Sequence, residues 1–336
     1  MNRSPLFREA FIFAFALLCL ETSMAASAQP ADKQQASRIE VQRNDDSGQM
    51  RVRIDGKEAL VYRYGPEVDL PHYYPVRGPS GKPLTVQQTA PYPHHRSVWF
   101  ADTLKLADGR KADFYNAFYS RADREDPKSP FRCRVRQAEF LPVRAAGSQA
   151  EISTKLVWEL DQKTPVVDEL RDLRVVAFDK GEYLLDLKFE VKASYDDVTF
   201  VSDAVHYAWP YVRMSPEFIR GDAARARITN SEGTASDGKV ARWVDYSNTV
   251  AGVTEGLAMF SAPENEHPHR WLARDYGTFG PRRADGKSGK PFTLKKGESL
   301  KQRVGILVHS GDAGTGRVKE RYQAYVEAKL VPKGTQ

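Results

Sequence analysis

Apolar side chains recur at every second position through much of this chain, and that period of two restricts its fold more than any other feature. Ile39 and Val41, then Met50, Val52 and Ile54, then Leu60 and Tyr62 alternate with polar neighbours. The turn-forming stretches Asn44-Asp45-Asp46-Ser47-Gly48 and Asp55-Gly56 separate them, which reads as hairpins. The pattern returns at Ile152, Thr154, Leu156 and Trp158, and at Tyr183, Leu185, Leu187, Phe189 and Val191 after the turn Asp179-Lys180-Gly181. It closes at Val304, Ile306 and Val308. Strands with polar alternate residues belong to antiparallel sheets that keep one wet face. No alternation of strand and helix units appears, so a parallel α/β fold is excluded and an all-β antiparallel β-sandwich is expected. Helical spacing occurs at the end of the chain, where Val318, Tyr322 and Tyr325 fall at i, i+4 and i+7. One C-terminal helix is predicted there, packed away from any site.

The N-terminus carries Arg3 and Arg8, an apolar run from Phe11 to Leu20 and the small residues Ala26-Ser27-Ala28. That order is a secretory signal with its cleavage site. The apolar run is about ten residues, half of what a membrane span needs. Residues 1–28 are therefore expected to be a signal peptide, 29–37 a flexible leader and 38–332 a single sandwich domain, acting in the periplasm or secreted. Cys19 follows Leu18 inside the apolar run, which does not fit a lipid anchor, and cleavage leaves Cys133 without an intramolecular partner. No second apolar run is long enough for a membrane span. The net charge of +6 comes from 50 basic residues spread among 44 acidic ones, and without a long basic run it argues against a nucleic-acid partner.

Two stretches, Pro71 to Phe100 and Glu264 to Lys290, fit no periodicity yet are dense in His, Arg, Tyr and Trp. Loops of this length are functional or disordered, and disorder is poor in aromatics. His72, His94 and His95 lie in the first, His267 and His269 in the second, and His206 between them. In a strand, His94 and His95 would face opposite sides, so one of the two is expected in any pocket. No His-x-x-x-His spacing occurs, and neither a metal nor a cofactor is expected; the alternative ligand set is His94 or His95 with His206 and His269. There is no Gly-x-Ser-x-Gly elbow, and Cys133 between Arg132 and Arg134 reads as a small core residue. Trp243 and Asp245 share a strand face, as do Arg274 and Tyr276. Aromatic rings beside planar hydrogen-bonding groups suit a sugar pocket, and they equally suit a sandwich core with surface ion pairs.

Several segments together resemble a family of bacterial secreted proteins labelled PmoA-like. They are His72-Tyr73-Tyr74-Pro75-Val76-Arg77-Gly78-Pro79-Ser80-Gly81, His94-His95-Arg96 with Trp99, Asn230-Ser231-Glu232-Gly233, Trp243-Val244-Asp245-Tyr246-Ser247, Arg274-Asp275-Tyr276-Gly277, and Val308-His309 with Gly311-Asp312. The family's usual glycine after His-His-Arg is Ser97 here, and its usual Trp-His is Trp271-Leu272. The resemblance implies a galactose-mutarotase-like sandwich and a place beside saccharide-degrading systems. A methane monooxygenase subunit is excluded, since that needs several apolar spans.

The function expected from these residues is a carbohydrate-active enzyme of epimerase, lyase or hydrolase type, with a saccharide as its partner and no oligomeric state set by the sequence. His94 or His95 with His206 is the expected acid/base pair, Arg96 and Arg274 orient hydroxyls or a carboxylate, and Asp245 fixes a ring or a histidine. Tyr74, Arg77, Trp99, Trp243, Tyr246 and Tyr276 complete the expected substrate contacts on one concave sheet face. The competing reading is a non-catalytic carbohydrate-binding protein using the same aromatics.

Overall fold

A computed structural model describes residues 37–201, 207–233, 237–267, 269–284 and 290–330. The signal and leader expected before Ser37, and His206, lie outside the described residues.

The period-two segments are strands whose apolar side is buried. In Gln49–Ile54, Met50, Val52 and Ile54 are buried while the residues between them are half-buried. Among the described residues there are three antiparallel sheets. One has eight strands in the order Ile39–Asn44, Gln49–Ile54, Lys57–Arg63, His72–Val76, Val98–Trp99, Tyr211–Arg213, Thr278–Pro281 and Trp271–Ala273. The long sheet runs Arg227–Asn230, Trp243–Val250, Val253–Ser261, Ser299–Ser310, Tyr183–Lys192, Thr164–Ala177, Gln149–Leu160 and Cys133–Phe140, with Arg144–Ala146 paired beside Gln149–Leu160. A small sheet of Phe292–Leu294, Val198–Phe200, Thr103–Leu106 and Lys111–Asp113 pairs with neither and packs into the same core.

The two large sheets stack face to face, as the alternation required. Tyr246 of the long sheet lies on Phe279 of the other with ring centroids 4.3 Å apart, and Phe100 lies on Phe189 at 4.1 Å. The buried Tyr183 hydroxyl donates across the layer to the carbonyls of Ala59 at 3.1 Å and Arg77 at 2.7 Å. Each large side chain buried in this layer contributes about 1.5–3 kcal/mol. Cys133 is buried here, and burial pushes its thiol pKa up to about 11, so it is a packing residue.

The long sheet is covered on its outer side as well. Phe178, Leu184, Trp243, Phe260 and Leu307 form a second apolar cluster with Val318 and Tyr325 of the helix Val318–Val326. This helix is the one predicted. It explains why Tyr183–Lys192 begins with five consecutive buried residues where strict alternation would expose two.

Both aperiodic stretches contain strands of the eight-stranded sheet. These run for two to five residues and are buried on both sides, as in Trp271–Ala273 and Thr278–Pro281, so no alternation marks them.

Candidate functional site

Register decides which side chains reach the outer face of the eight-stranded sheet. Val98, Val212 and Phe279 are mutual partners and point inward, where Phe279 meets Tyr246. Their neighbours, Trp99 paired with Tyr211 and Arg213 paired with Thr278, therefore point outward. Gly280 and Leu272 share that outward face. Gly280 admits the close approach of another backbone, since a Cβ there would sit 2.0 Å from the Pro210 carbonyl oxygen. The hairpin Arg274-Asp275-Tyr276-Gly277 closes with the Gly277 amide donating to the Arg274 carbonyl at 2.8 Å, and Gly277 takes φ +92°.

Two segments fold over this face. The chain turns at Thr89–Tyr92 and again at Tyr92–His95, with the Tyr92 amide donating to the Thr89 carbonyl and the His95 amide to the Tyr92 carbonyl, both at 3.0 Å. The loop leaving Lys111–Asp113 brings in Tyr115. Together they form a cleft of about 380 Å³ whose lining includes Tyr92, His95, Tyr115, Tyr211, Arg274 and Tyr276.

His95 is a buried polar group of the cleft, 3% exposed. Its Nε2 lies 3.1 Å from the Tyr115 hydroxyl and its Nδ1 lies 3.4 Å from Thr278 Oγ1. Its ring stacks on Tyr92 at 4.9 Å and rests at a tilt on Trp99 at 5.4 Å. Burial, reinforced by His94, Arg213 and Arg96, pushes its pKa down to about 3, so the imidazole is neutral at physiological pH. One nitrogen donates and the other accepts. His94 is not turned away, as strand geometry would require, because the segment is a turn: its ring meets His95 at 4.5 Å and Tyr115 at 5.2 Å. Its pKa is also lowered, by burial and then by Arg96.

Arginines stand at and beneath the cleft. Arg274 is 35% exposed and its NH1 meets Asp237 Oδ2 at 2.7 Å, while Arg282 takes Oδ1 of the same carboxylate at 3.0 Å. Arg213 sits behind the wall with its guanidinium 4.8 Å from the Tyr276 ring centroid, a cation–π contact. It donates to the Tyr276 carbonyl and, at 3.4 Å, to Thr278 Oγ1. Aromatic walls with convergent donors suit the C–H faces and hydroxyls of a sugar.

The structure brings His95, Arg274 and Tyr276 together in the cleft, with His94 against His95 outside its lining, and disperses the rest of the expected set. Trp99 lies under the cleft, 1% exposed and stacked on Tyr211 at 4.7 Å, as support. Arg96 is turned into the protein, 2% exposed, where Nε and NH2 reach Asp69 Oδ1 at 3.1 and 2.5 Å and NH1 reaches the Pro93 carbonyl, so its guanidinium is directed at Asp69 and not at the cleft. Tyr246 is in the inter-sheet core and its hydroxyl braces the Arg274 carbonyl at 2.9 Å. Trp243 and Asp245 point to the outer face of the long sheet, under the C-terminal helix side, because Asp245 pairs with Ala258 and Ala258 with Leu307 of that cluster. Two stacked sheets separate Asp245 from His95, which overturns the single concave site. Arg77 belongs to a different hollow beside Glu58, which it meets at 2.9 Å, and Tyr74 is held beneath Arg63 at 5.4 Å. His269 contacts Ser261 and His267 instead of the cleft. Among the described residues no group of three His, Cys, Asp or Glu is placed to hold a metal ion.

Tyr92, Tyr115, Tyr211, Arg213 and Thr278 were not among the expected site residues. Tyr211–Arg213 is a three-residue strand buried on both sides, so no alternation marks it, while Tyr92 sits inside the histidine segment. Tyr115 follows a short sheet and carries no pattern that a sequence displays.

The fold and the cleft define an antiparallel β-sandwich protein with an aromatic, arginine-rimmed cleft on one outer sheet face. The chain belongs to the family of unknown function DUF6807, which matches residues 49–323. No curated protein is significantly similar to it. Similar solved structures include the galactosidase domain of the α-galactosidase–sucrose kinase AgaSK, with TM-score 0.44 and 9% identity over 80% of this chain and 41% of that one. The GH36 α-galactosidase AgaB from Geobacillus stearothermophilus gives 0.41 and 11% over 82% and 42%. A GalM/aldose epimerase homologue from C. elegans gives 0.31 and 9% over 82% and 100%. This chain spans about two fifths of the length of the galactosidases. At these identities neither substrate nor reaction passes from them to it.

Proposed function

We propose that this protein acts on a saccharide held in the Tyr92–Tyr276 cleft, with Tyr115 and His95 moving a proton at a sugar carbon or glycosidic oxygen. The observation that carries this is the contact of the Tyr115 hydroxyl with a buried, neutral His95 at 3.1 Å, at the floor of a cleft walled by stacking rings. With a pKa near 3, His95 does not hold a proton as a cation; it relays one in concert, taking the phenolic proton at Nε2 as its Nδ1 proton leaves toward Thr278 Oγ1. The low basicity of His95 equally favours a second reading, in which the cleft binds a saccharide without turning it over. Action in the periplasm or outside the cell follows from Arg3, Arg8 and the apolar run Phe11–Leu20.

Calorimetry on a panel of neutral and acidic oligosaccharides, followed by long incubation and product analysis, separates these readings. Tyr276→Ala is expected to weaken binding, and Tyr115→Phe and His95→Ala to abolish turnover. His206→Ala belongs in the series because Tyr207, beside it, stacks on Tyr115 at 4.1 Å. Ligands that bind but return chemically and anomerically unchanged leave the binding protein; undiminished activity in both Tyr115→Phe and His95→Ala removes the proton-transfer assignment.

A further inference from the structure

Five arginines are buried among the described residues, and four of them face a carboxylate. Arg96 meets Asp69 at 2.5 Å, Arg171 meets Glu169 at 2.7 Å, Arg282 meets Asp237 at 3.0 Å and Arg283 meets Glu266 at 2.7 Å. Arg213 is the exception. It is 3% exposed, it donates to a carbonyl and a threonine hydroxyl, and its Nε has no partner among the described residues. Among the described residues no Asp or Glu oxygen comes within 4.0 Å of it. A buried cation without a counter-charge is strongly unfavourable unless something outside the chain supplies one.

Its surroundings point the same way. Thr278, to which Arg213 donates, lines the cleft, and so does the Tyr276 ring above its guanidinium. The Tyr211 hydroxyl, on a side chain 1% exposed, also belongs to the cleft lining and has no hydrogen-bond partner among the described residues. Arg274 at the rim shares one carboxylate, Asp237, with Arg282, and Asp275, which also lines the cleft, is exposed and faces Arg225 at 3.5 Å. The polar groups around the cleft floor are thus mostly donors, backed by more positive than negative charge.

We infer that the saccharide taken by this cleft is acidic, a hexuronate whose carboxylate docks against Arg274 and the donors Tyr211 and Thr278 and supplies the counter-charge that Arg213 lacks. The inference rests on the saccharide reading given above. Arg274 touches the carboxylate; Arg213 acts behind Tyr276 and Thr278 as a positioning residue. Charge-assisted hydrogen bonds are about twice as strong as neutral ones, which makes the carboxylate the discriminating group.

The test is calorimetry of the full chain with galacturonate, mannuronate and guluronate trisaccharides and their carboxyl-reduced counterparts. At least one acidic trimer is expected to bind about tenfold or more tightly than its reduced form, a gap that narrows at high salt. Arg274→Gln and Arg213→Met are each expected to bring the acidic trimer to the affinity of the reduced one; if Arg213→Met does not fold, the partly exposed Arg274 decides. A reduced trimer that binds as tightly as the acid, or an acid preference intact in Arg274→Gln, overturns the inference. Neutral oligosaccharides binding while all three uronides are refused overturns it and leaves the saccharide reading standing. Binding of no saccharide of either kind removes both.

Discussion

His309 Nε2 lies 2.8 Å from Asp245 Oδ1 with both side chains fully buried, on the face of the long sheet opposite the aromatic cleft. Burial opposes a charged imidazole, but the hydrogen bond and charge of Asp245 prevail and the His309 pKa is raised above 6.5. A folded-state pKa above the unfolded one means stability that is fully present below about pH 6.5 and is lost as pH rises through the folded value. Asp245→Ala is expected to lower stability by about 3 kcal/mol at acid pH, since it leaves a buried polar ring without its partner. Thermal melts of both proteins should show the gap shrinking as pH rises above about 6.5. A gap that grows over this range contradicts the protonated pair.

Three other histidines work in the opposite direction. Burial is the main cause that pushes His95 down to about 3, His72 to about 4 and His269 to about 4, with neighbouring charge adding to it. Each stays neutral in the folded chain while its unfolded counterpart takes a proton near pH 6.5. Stability is therefore lost as pH falls from about 6.5 toward these values, by up to about 1.4 kcal/mol per pH unit for each group. His95→Gln is expected to make the acid side of the stability curve shallower by about that amount. Urea titrations between about pH 6 and pH 4.5 measure the slope, and an unchanged slope means that His95 is protonated in the fold.

The sandwich was legible in the sequence because burial on one face imprints alternation on long strands, as in Met50, Val52 and Ile54. The terminal helix was legible from Val318, Tyr322 and Tyr325. The site was only half legible. Arg274 and Tyr276, expected on one strand face, line the cleft from a hairpin turn instead. Alternation correctly tells that Trp243 and Asp245 share a face, but it does not tell which face of which sheet. That depends on long-range register, here the pairing of Asp245 with Ala258 and of Arg213 with Thr278. Arg96 misleads for a related reason. A guanidinium satisfied by Asp69, 27 residues earlier, looks the same in sequence as one waiting for a ligand.

Gly280 ties the site to the fold. Its missing side chain lets Thr278–Pro281 lie against the Pro210 carbonyl and so sets the positions of Tyr211, Arg213 and Thr278. Gly280→Ala places a methyl group 2.0 Å from that oxygen, which forces the strands apart. The expected loss is about 1–3 kcal/mol of stability, accompanied by weaker saccharide binding, read by melting and calorimetry on the same sample. Normal stability and normal binding together contradict the close approach.

Tyr211 offers the sharpest separation of binding from stability. Its ring stacks on Trp99 at 4.7 Å with an interplanar angle of 14°, so the aromatic body is part of the packing. Its hydroxyl is buried without a hydrogen-bond partner among the described residues, and burial holds its pKa well above the usual phenol value, so the group is a neutral donor. An unsatisfied buried hydroxyl costs about 1–3 kcal/mol. Tyr211→Phe keeps the stack and removes the orphan, so the variant is expected to melt at the same temperature or higher. A ligand that takes a hydrogen bond from this hydroxyl loses it in the variant, and affinity is expected to fall by about tenfold, equivalent to about 1.4 kcal/mol. Melting curves and calorimetry with any saccharide that the native protein binds test both halves. A variant that is destabilised by more than about 1 kcal/mol shows that the hydroxyl is satisfied within the chain. Unchanged affinity at unchanged stability shows that the ligand does not reach the cleft floor.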